Sequence, residues 1–302
     1  MGPLAPPVPT SEFSEKVLGQ LERLPYWDRR LFIKRHMPGQ YPRFFYKYAS
    51  LNPDDKASVD RIRDMIVESC FWLSNHERFN DPFDLTANIV LAGTTSQRRK
   101  RFKALIANQS NLPHKERRAL LDKFMARPPA EWEASVRAIF ADTAKKVGVC
   151  SFAGEPLSIL MWAHYGHYHE GLCLQFEFTL DPRTFALAQP INYTDKYPML
   201  NYLQGLEREI VVPLTSKYSG WNYEKEWRIL HITGADCSLH FNPRALRRIV
   251  LGCRAPEKVR LSLATLLDAR RLRGFPEIRL YRAEMHKTAY KLIARRLSTP
   301  SA

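Results

Sequence analysis

The chain has 302 residues and carries 46 Lys and Arg against 31 Asp and Glu, a net charge of +15, with 45% hydrophobic residues. That length buries a sizeable core in one large domain or two small ones, and the apolar content excludes a wholly disordered polymer. No apolar run is long enough to span a bilayer, and Met1–Pro9 lacks the basic start and apolar centre of a signal peptide. A cytoplasmic protein without membrane association is therefore expected.

In chain order, residues 1–10 are Pro-rich and expected to be disordered. Phe13, Val17, Leu18, Leu21 and Leu24 recur at helical spacing. Phe44–Tyr48 reads as a strand, Asn52–Asp55 as a turn, Val59–Glu68 as a helix and Cys70–Leu73 as a short strand. Residues 96–146 hold two or three basic amphipathic helices, broken near Leu112–His114 and Arg127–Pro129. Gly148–Phe152 reads as a buried strand, Leu157–Tyr165 as a short helix and Leu172–Phe178 as a strand with one apolar face. Strands follow at Ala188–Tyr193, Trp227–Thr233, Ser238–Phe241, Arg248–Gly252 and Glu277–Tyr281. Asn242 and Pro243 form a helix start, and Val259–Leu272 and His286–Leu297 read as helices. The irregular order predicts an α+β fold with a mixed, mostly antiparallel sheet and flanking terminal helices. The expected organisation is an N-terminal arm, 1–40, and a single domain, 41–302, carrying 96–146 as a helical insertion.

Two blocks stand out chemically. Met161–Gly171 puts His164, His167, His169, Trp162, Tyr165, Tyr168 and Glu170 in one short stretch, a composition suited to the wall of a polar pocket. The three imidazoles also invite a metal-dependent hydrolase reading, but their spacing matches no established signature, and no metal is expected. Trp221–Leu230 is the second block. On a strand beginning at Glu226, that residue shares a face with Arg228 and Leu230, while Trp227, Ile229 and His231 face the other way. Glu226 and Arg228 are then either a structural ion pair or groups that hold and polarise a substrate. In Phe79–Asp84, Asn80 or Asp81 can cap a turn whose Phe79 and Phe83 reach the core, or can meet a ligand. Lys47, opposite Tyr46 and Tyr48, is expected on the solvent face. No P-loop, Rossmann or GxSxG motif occurs. The five cysteines form no CxxC pair, which excludes a zinc ribbon and a disulfide framework, and Cys150, Cys173 and Cys253 read as buried thiols. Between Arg244 and Arg296 fifteen Lys and Arg face four Asp and Glu. That imbalance makes nucleic acid or another polyanion an expected partner, with a solvated basic face as the alternative.

Phe45–Tyr48, Phe79–Phe83, Cys150–Phe152, Leu160–Tyr165, Gly171–Cys173, Tyr193 and Trp221–Arg228, in this order, resemble an uncharacterised bacterial family, domain of unknown function 2971. The likeness spans Phe44–Leu230. A weaker resemblance is to the ADP-ribosyltransferase type of NAD-binding fold, through Tyr46 and Tyr48 on an early strand, Trp162 and Tyr165 in the middle, and Glu226 late. The usual His-then-aromatic spacing and Ser/Thr-rich second element of that fold are absent. This resemblance implies NAD as a substrate, with Glu226 orienting the ribose and stabilising developing charge, Arg228 and His164 holding polar groups, and Trp162 and Tyr165 lining the nicotinamide pocket. Tyr46, Tyr48, Asn80 and Asp81 are the other expected contacts. By analogy it implies a toxin or phage-defence setting. The alternative to an enzyme is a nucleotide or nucleic-acid sensor that uses the basic C-terminal part. Glu226→Gln is expected to abolish NAD turnover while sparing thermal stability.

Overall fold

Five strands from distant parts of the chain form the main sheet in the order β1 (Phe44–Ala49), β5 (Leu172–Glu177), β12 (Leu246–Leu251), β13 (Arg279–Met285) and β14 (Leu292–Arg296). The computed structural model describes residues 15–36, 41–107, 112–204 and 211–297. Pairing is antiparallel except between β12 and β13, so the sheet is mixed and mostly antiparallel and the fold is α+β. A parallel pair needs a crossover. Helix Glu257–Leu272 supplies it and buries Val259, Leu263 and Leu266.

The chain divides into two compact units. The first comprises residues 1–75, 147–191 and 220–302. Besides the main sheet it holds a sheet ordered β4 (Gly148–Phe152), β10 (Trp227–His231), β6 (Ala188–Pro190), and the pair β2 (Cys70–Leu73) with β11 (Cys237–His240). Its core is aromatic: Phe45 stacks on Phe185 at 5.1 Å, and Phe71 meets Phe176 at 5.0 Å and Phe241 at 4.4 Å. Interior strand β5 is buried along its whole length. The expectation of one apolar face there is too narrow, because Cys173, Gln175 and Glu177 are covered as well.

Helix α1 (Glu15–Arg23) buries Leu18 and Leu21 as the spacing predicts; Phe13 and residues 1–10 lie outside the described residues. Helix α2 (Tyr26–His36) has no amphipathic signal, and Trp27 on it is largely exposed. Helix α3 (Lys56–Arg63) runs into a π-helical turn, Asp64–Glu68, that ends at Ser69 with φ 54°. Arg270, on the crossover helix, is buried and donates to the carbonyls of Ile66 (2.7 Å), Pro243 (2.6 Å) and Pro276 (3.1 Å). Burial lowers its pKa to about 10.

One expectation fails at the C-terminus. His286–Leu297 is not a helix; Leu292–Arg296 forms edge strand β14, paired with β13 from Tyr281↔Arg296 to Met285↔Leu292. The open ladder of β13 outweighs a weak helical pattern, and the basic pair Arg295 and Arg296 guards the new edge. The capped start at Asn242 is present, its side chain accepting from Arg244 N, but yields a single 3₁₀ turn. The strand expected over Ala188–Tyr193 divides into β6 and β7 (Asn192–Thr194).

The second unit comprises residues 76–146 and 192–219. Helices α4 (Thr95–Ala107), α5 (His114–Ala126) and α6 (Pro129–Lys146) break at the prolines named above. Phe102, Phe124 and Trp132 form their shared centre, with Phe102 and Trp132 centroids 4.9 Å apart. Two short parallel pairs, β3 (Asn88–Val90) with β8 (Met199–Asn201) and β7 with β9 (Ser216–Tyr218), complete it. Among the described residues no helix is long and apolar enough to cross a membrane.

Candidate functional site

Helix α7 (Ile159–His164) starts at Ser158, whose Oγ accepts from Met161 N, and lays Met161 and Trp162 on the main sheet. Trp162 is fully buried. Its indole N–H donates to Pro156 O (3.0 Å), and its ring meets Tyr48 edge-on and lies parallel to His169. Tyr48 donates to Glu155 O at 2.8 Å, and burial raises its pKa. Both rings therefore belong to a core cluster on the main sheet. Trp162 offers no surface to a ligand, contrary to the expectation for it.

Beyond the helix, His167, Tyr168 and His169 are consecutive left-handed residues, with φ of 48°, 52° and 70°. Non-glycine residues pay about 1–2 kcal/mol each for this conformation. Hydrogen bonds hold it: His169 N to Trp162 O (3.1 Å), Gly171 N to Gly166 O (2.9 Å) and Arg254 N to His169 O (3.0 Å). Gly252 permits the approach, since a Cβ there would lie 2.0 Å from His169 O. The turn separates the three imidazoles. Exposed His164 lies by Tyr223, His167 Nε2 is 4.0 Å from Glu170, and His169 lies against Trp162. Among the described residues no group of three His, Cys, Asp or Glu side chains is arranged to hold a metal ion.

In the second block Lys225 is also left-handed, φ 46°, and its amine pairs with Glu155. It directly precedes Glu226. Four of the seven non-glycine residues with positive φ among those described fall in these two blocks, and such strain gathers where surrounding structure enforces it, often at functional sites. Glu226 and Arg228 share a face as expected. Arg228 Nε is 2.7 Å from Glu226 Oε1 and Nη2 is 3.0 Å from Oε2, with Arg228 0% and Glu226 5% exposed. The blocks meet where Tyr165 Oη donates to Glu224 Oε1 at 2.7 Å.

Early strand β1 reaches the same unit's β4: Tyr46 N donates to Ala153 O (3.1 Å) and Ala153 N to Tyr46 O (2.6 Å). Tyr46 Oη accepts from Gln175 Nε2 at 3.1 Å. One polar atom is left over: Gln175 Oε1 is buried with no partner among the described residues. Burial raises the Tyr46 pKa, and Arg248, next to Gln175 in register, opposes that shift. Gln175 was not foreseen. Its signal is a lone amide inside the apolar run Leu172–Phe178.

The remaining expected residues lie elsewhere. Asn80 and Asp81 belong to the second unit, where Asp81 Oδ1 accepts from Phe83 N (2.9 Å) in a capped turn. Phe83 is exposed, with an edge contact to Tyr197, so it does not anchor that turn in the core. Lys47 is half-buried and not on the solvent face, because its Nζ donates to Ser151 O at 3.0 Å. Burial pushes the thiols of Cys150 and Cys173 up and that of Cys70 up to about 11, which makes them poor nucleophiles. In comparisons with family models, curated proteins and solved structures, nothing matches this chain.

Proposed function

We propose that the chain acts on an NAD-type dinucleotide, with Tyr46 and Gln175 receiving the nicotinamide carboxamide and Glu226 serving the ribose. The observation that carries this reading is the buried, unpartnered Gln175 Oε1 on β5, beside the Tyr46 hydroxyl on β1. A buried donor or acceptor without a partner costs about 1–3 kcal/mol. A primary carboxamide presents an N–H to Gln175 Oε1, relieving that cost, and an oxygen to the Tyr46 hydroxyl.

Cleavage breaks the bond between the nicotinamide nitrogen and the ribose carbon, and the electron pair leaves with nicotinamide. Positive charge develops on the sugar, which a fixed carboxylate stabilises until water or a target side chain forms the new bond. Glu226 has that role. Arg228 is a positioning residue that sets the carboxylate's orientation, and the strained Lys225 fixes where the strand begins. His164 is an exposed polar group beside Tyr223, at the rim.

Calorimetry with nicotinamide and nicotinic acid tests the pairing. Nicotinic acid is a carboxylate at neutral pH and has no N–H for Gln175 Oε1. The expected result is binding of nicotinamide at least about tenfold tighter, a difference of about 1.4 kcal/mol, that disappears in Gln175→Leu. Equal affinity for both compounds, or no binding of either, overturns the proposal.

A further inference from the structure

Arg248, Arg279 and Arg296 stand on adjacent strands β12, β13 and β14 of the main sheet. Arg248 is directly in register with Arg279, and Arg296 with Tyr281. None of the three forms an ion pair among the described residues. Like charges facing each other across a ladder destabilise a sheet. Neighbouring arginines show that partners are within reach of this chain: Arg43 and Arg247 pair with Glu177 at 3.0 and 3.4 Å, and Arg295 with Glu284 at 3.0 Å. The three unmatched guanidiniums mark a place for anions from outside.

The surroundings narrow the ligand. The Arg248 guanidinium lies 5.2 Å over the Tyr281 ring, so cation and aromatic surface alternate on the sheet. Arg247, Arg279 and Arg296, with Glu277, line a cavity of about 240 Å³. That is smaller than the roughly 300–1,000 Å³ typical of whole small-molecule sites, so it suits one phosphate-bearing portion of a longer ligand. Adjacent strands lie about 4.8 Å apart. Arg296 is level with Tyr281, two residues beyond Arg279 on β13, so the three backbone positions spread over about 12 Å, a staggered set within reach of successive phosphates.

We infer that this face binds the backbone of a single-stranded nucleic acid, with phosphates on Arg248, Arg279 and Arg296 and a base against Tyr281. Open sheet faces with aromatic and cationic side chains bind single strands by stacking and by tracking the backbone, whereas a duplex keeps its bases stacked inside. Arg248 is in register with Gln175, so the test is made at Arg279 and Arg296, which the NAD reading does not use.

The test is fluorescence anisotropy of a labelled single-stranded oligonucleotide with the full chain, over a salt series. Arg279→Gln/Arg296→Gln is compared with Arg260→Gln/Arg271→Gln, which removes the same charge from the exposed face of the crossover helix. The sheet pair is expected to lose at least about tenfold in affinity and to flatten the salt dependence by roughly 1.4, at about 0.7 per phosphate contact on a single strand. The helix pair is expected to change little. Duplex of the same sequence is expected to bind more weakly. Equal losses in the two pairs, no binding at low salt, or a preference for duplex would overturn the inference.

Discussion

Arg228 holds both carboxylate oxygens of Glu226, through Nε at 2.7 Å and Nη2 at 3.0 Å, with both side chains out of solvent. The pairing follows from extended backbone, since Glu226 directly precedes β10 and residues two apart on an extended chain share a face. It changes what substitution at Glu226 does. Removing one partner of a buried pair leaves an uncompensated charge, at a cost of about 3–5 kcal/mol. Glu226→Gln is therefore expected to unfold at markedly lower denaturant, and the expectation that it spares stability is withdrawn. Glu226→Asp keeps the charge and is expected to lose less. Urea unfolding of both variants checks this, and a Glu226→Gln midpoint equal to wild type would contradict it.

The Tyr165 hydroxyl ties helix α7 to the turn before β10 through Glu224, which is buried. A hydrogen bond to a charged group contributes about 1.5–3 kcal/mol. Tyr165→Phe removes it while retaining the ring, so a loss in that range is expected from denaturant unfolding. Reduced protection in hydrogen exchange should concentrate in the two blocks. A loss below about 0.5 kcal/mol would show that the contact carries no weight.

His169 gives the fold a pH dependence with a definite sign. Burial lowers its pKa first, and the charge of Arg254 adds to the effect. The unfolded chain then takes up a proton that the folded chain resists. The contribution of His169 to stability is full above the unfolded imidazole value of about 6.5 and is lost as pH falls through the folded pKa. His169→Asn cannot titrate, and Asn tolerates the left-handed backbone. Wild type is expected to lose more stability than the variant between about pH 7.5 and about pH 5. Parallel curves would remove His169 from the account.

Periodicity made most of the elements legible, because Leu18 and Leu21, and Val259, Leu263 and Leu266, repeat at the spacing of the surface they bury. It failed where tertiary context decides. β14 forms because β13 needs a partner, and α2 is a helix without an apolar stripe. In the candidate site, Glu226 and Arg228 were readable as a pair. Their burial was not, since covering a strand face depends on chain far away in sequence. Gln175 was hidden for a related reason: a single amide in an apolar run carries no periodic signal, and only pairing with β1 brings it to Tyr46. Trp162 looked like a ligand contact because its residue type suits one. The Pro156 carbonyl and the Tyr48 ring take that surface instead.

The most direct measurement is release of nicotinamide from NAD by the purified full chain, with wild type and Glu226→Asp assayed together and both confirmed folded by circular dichroism. Shortening the side chain by one carbon displaces the carboxylate by about 1 Å, and a misplacement of that size can cost about a hundredfold in rate. The predicted result is turnover by wild type and a loss of that order in Glu226→Asp, with nicotinamide binding retained. Absence of nicotinamide release by folded wild type, or undiminished release by folded Glu226→Asp, would contradict the assignment.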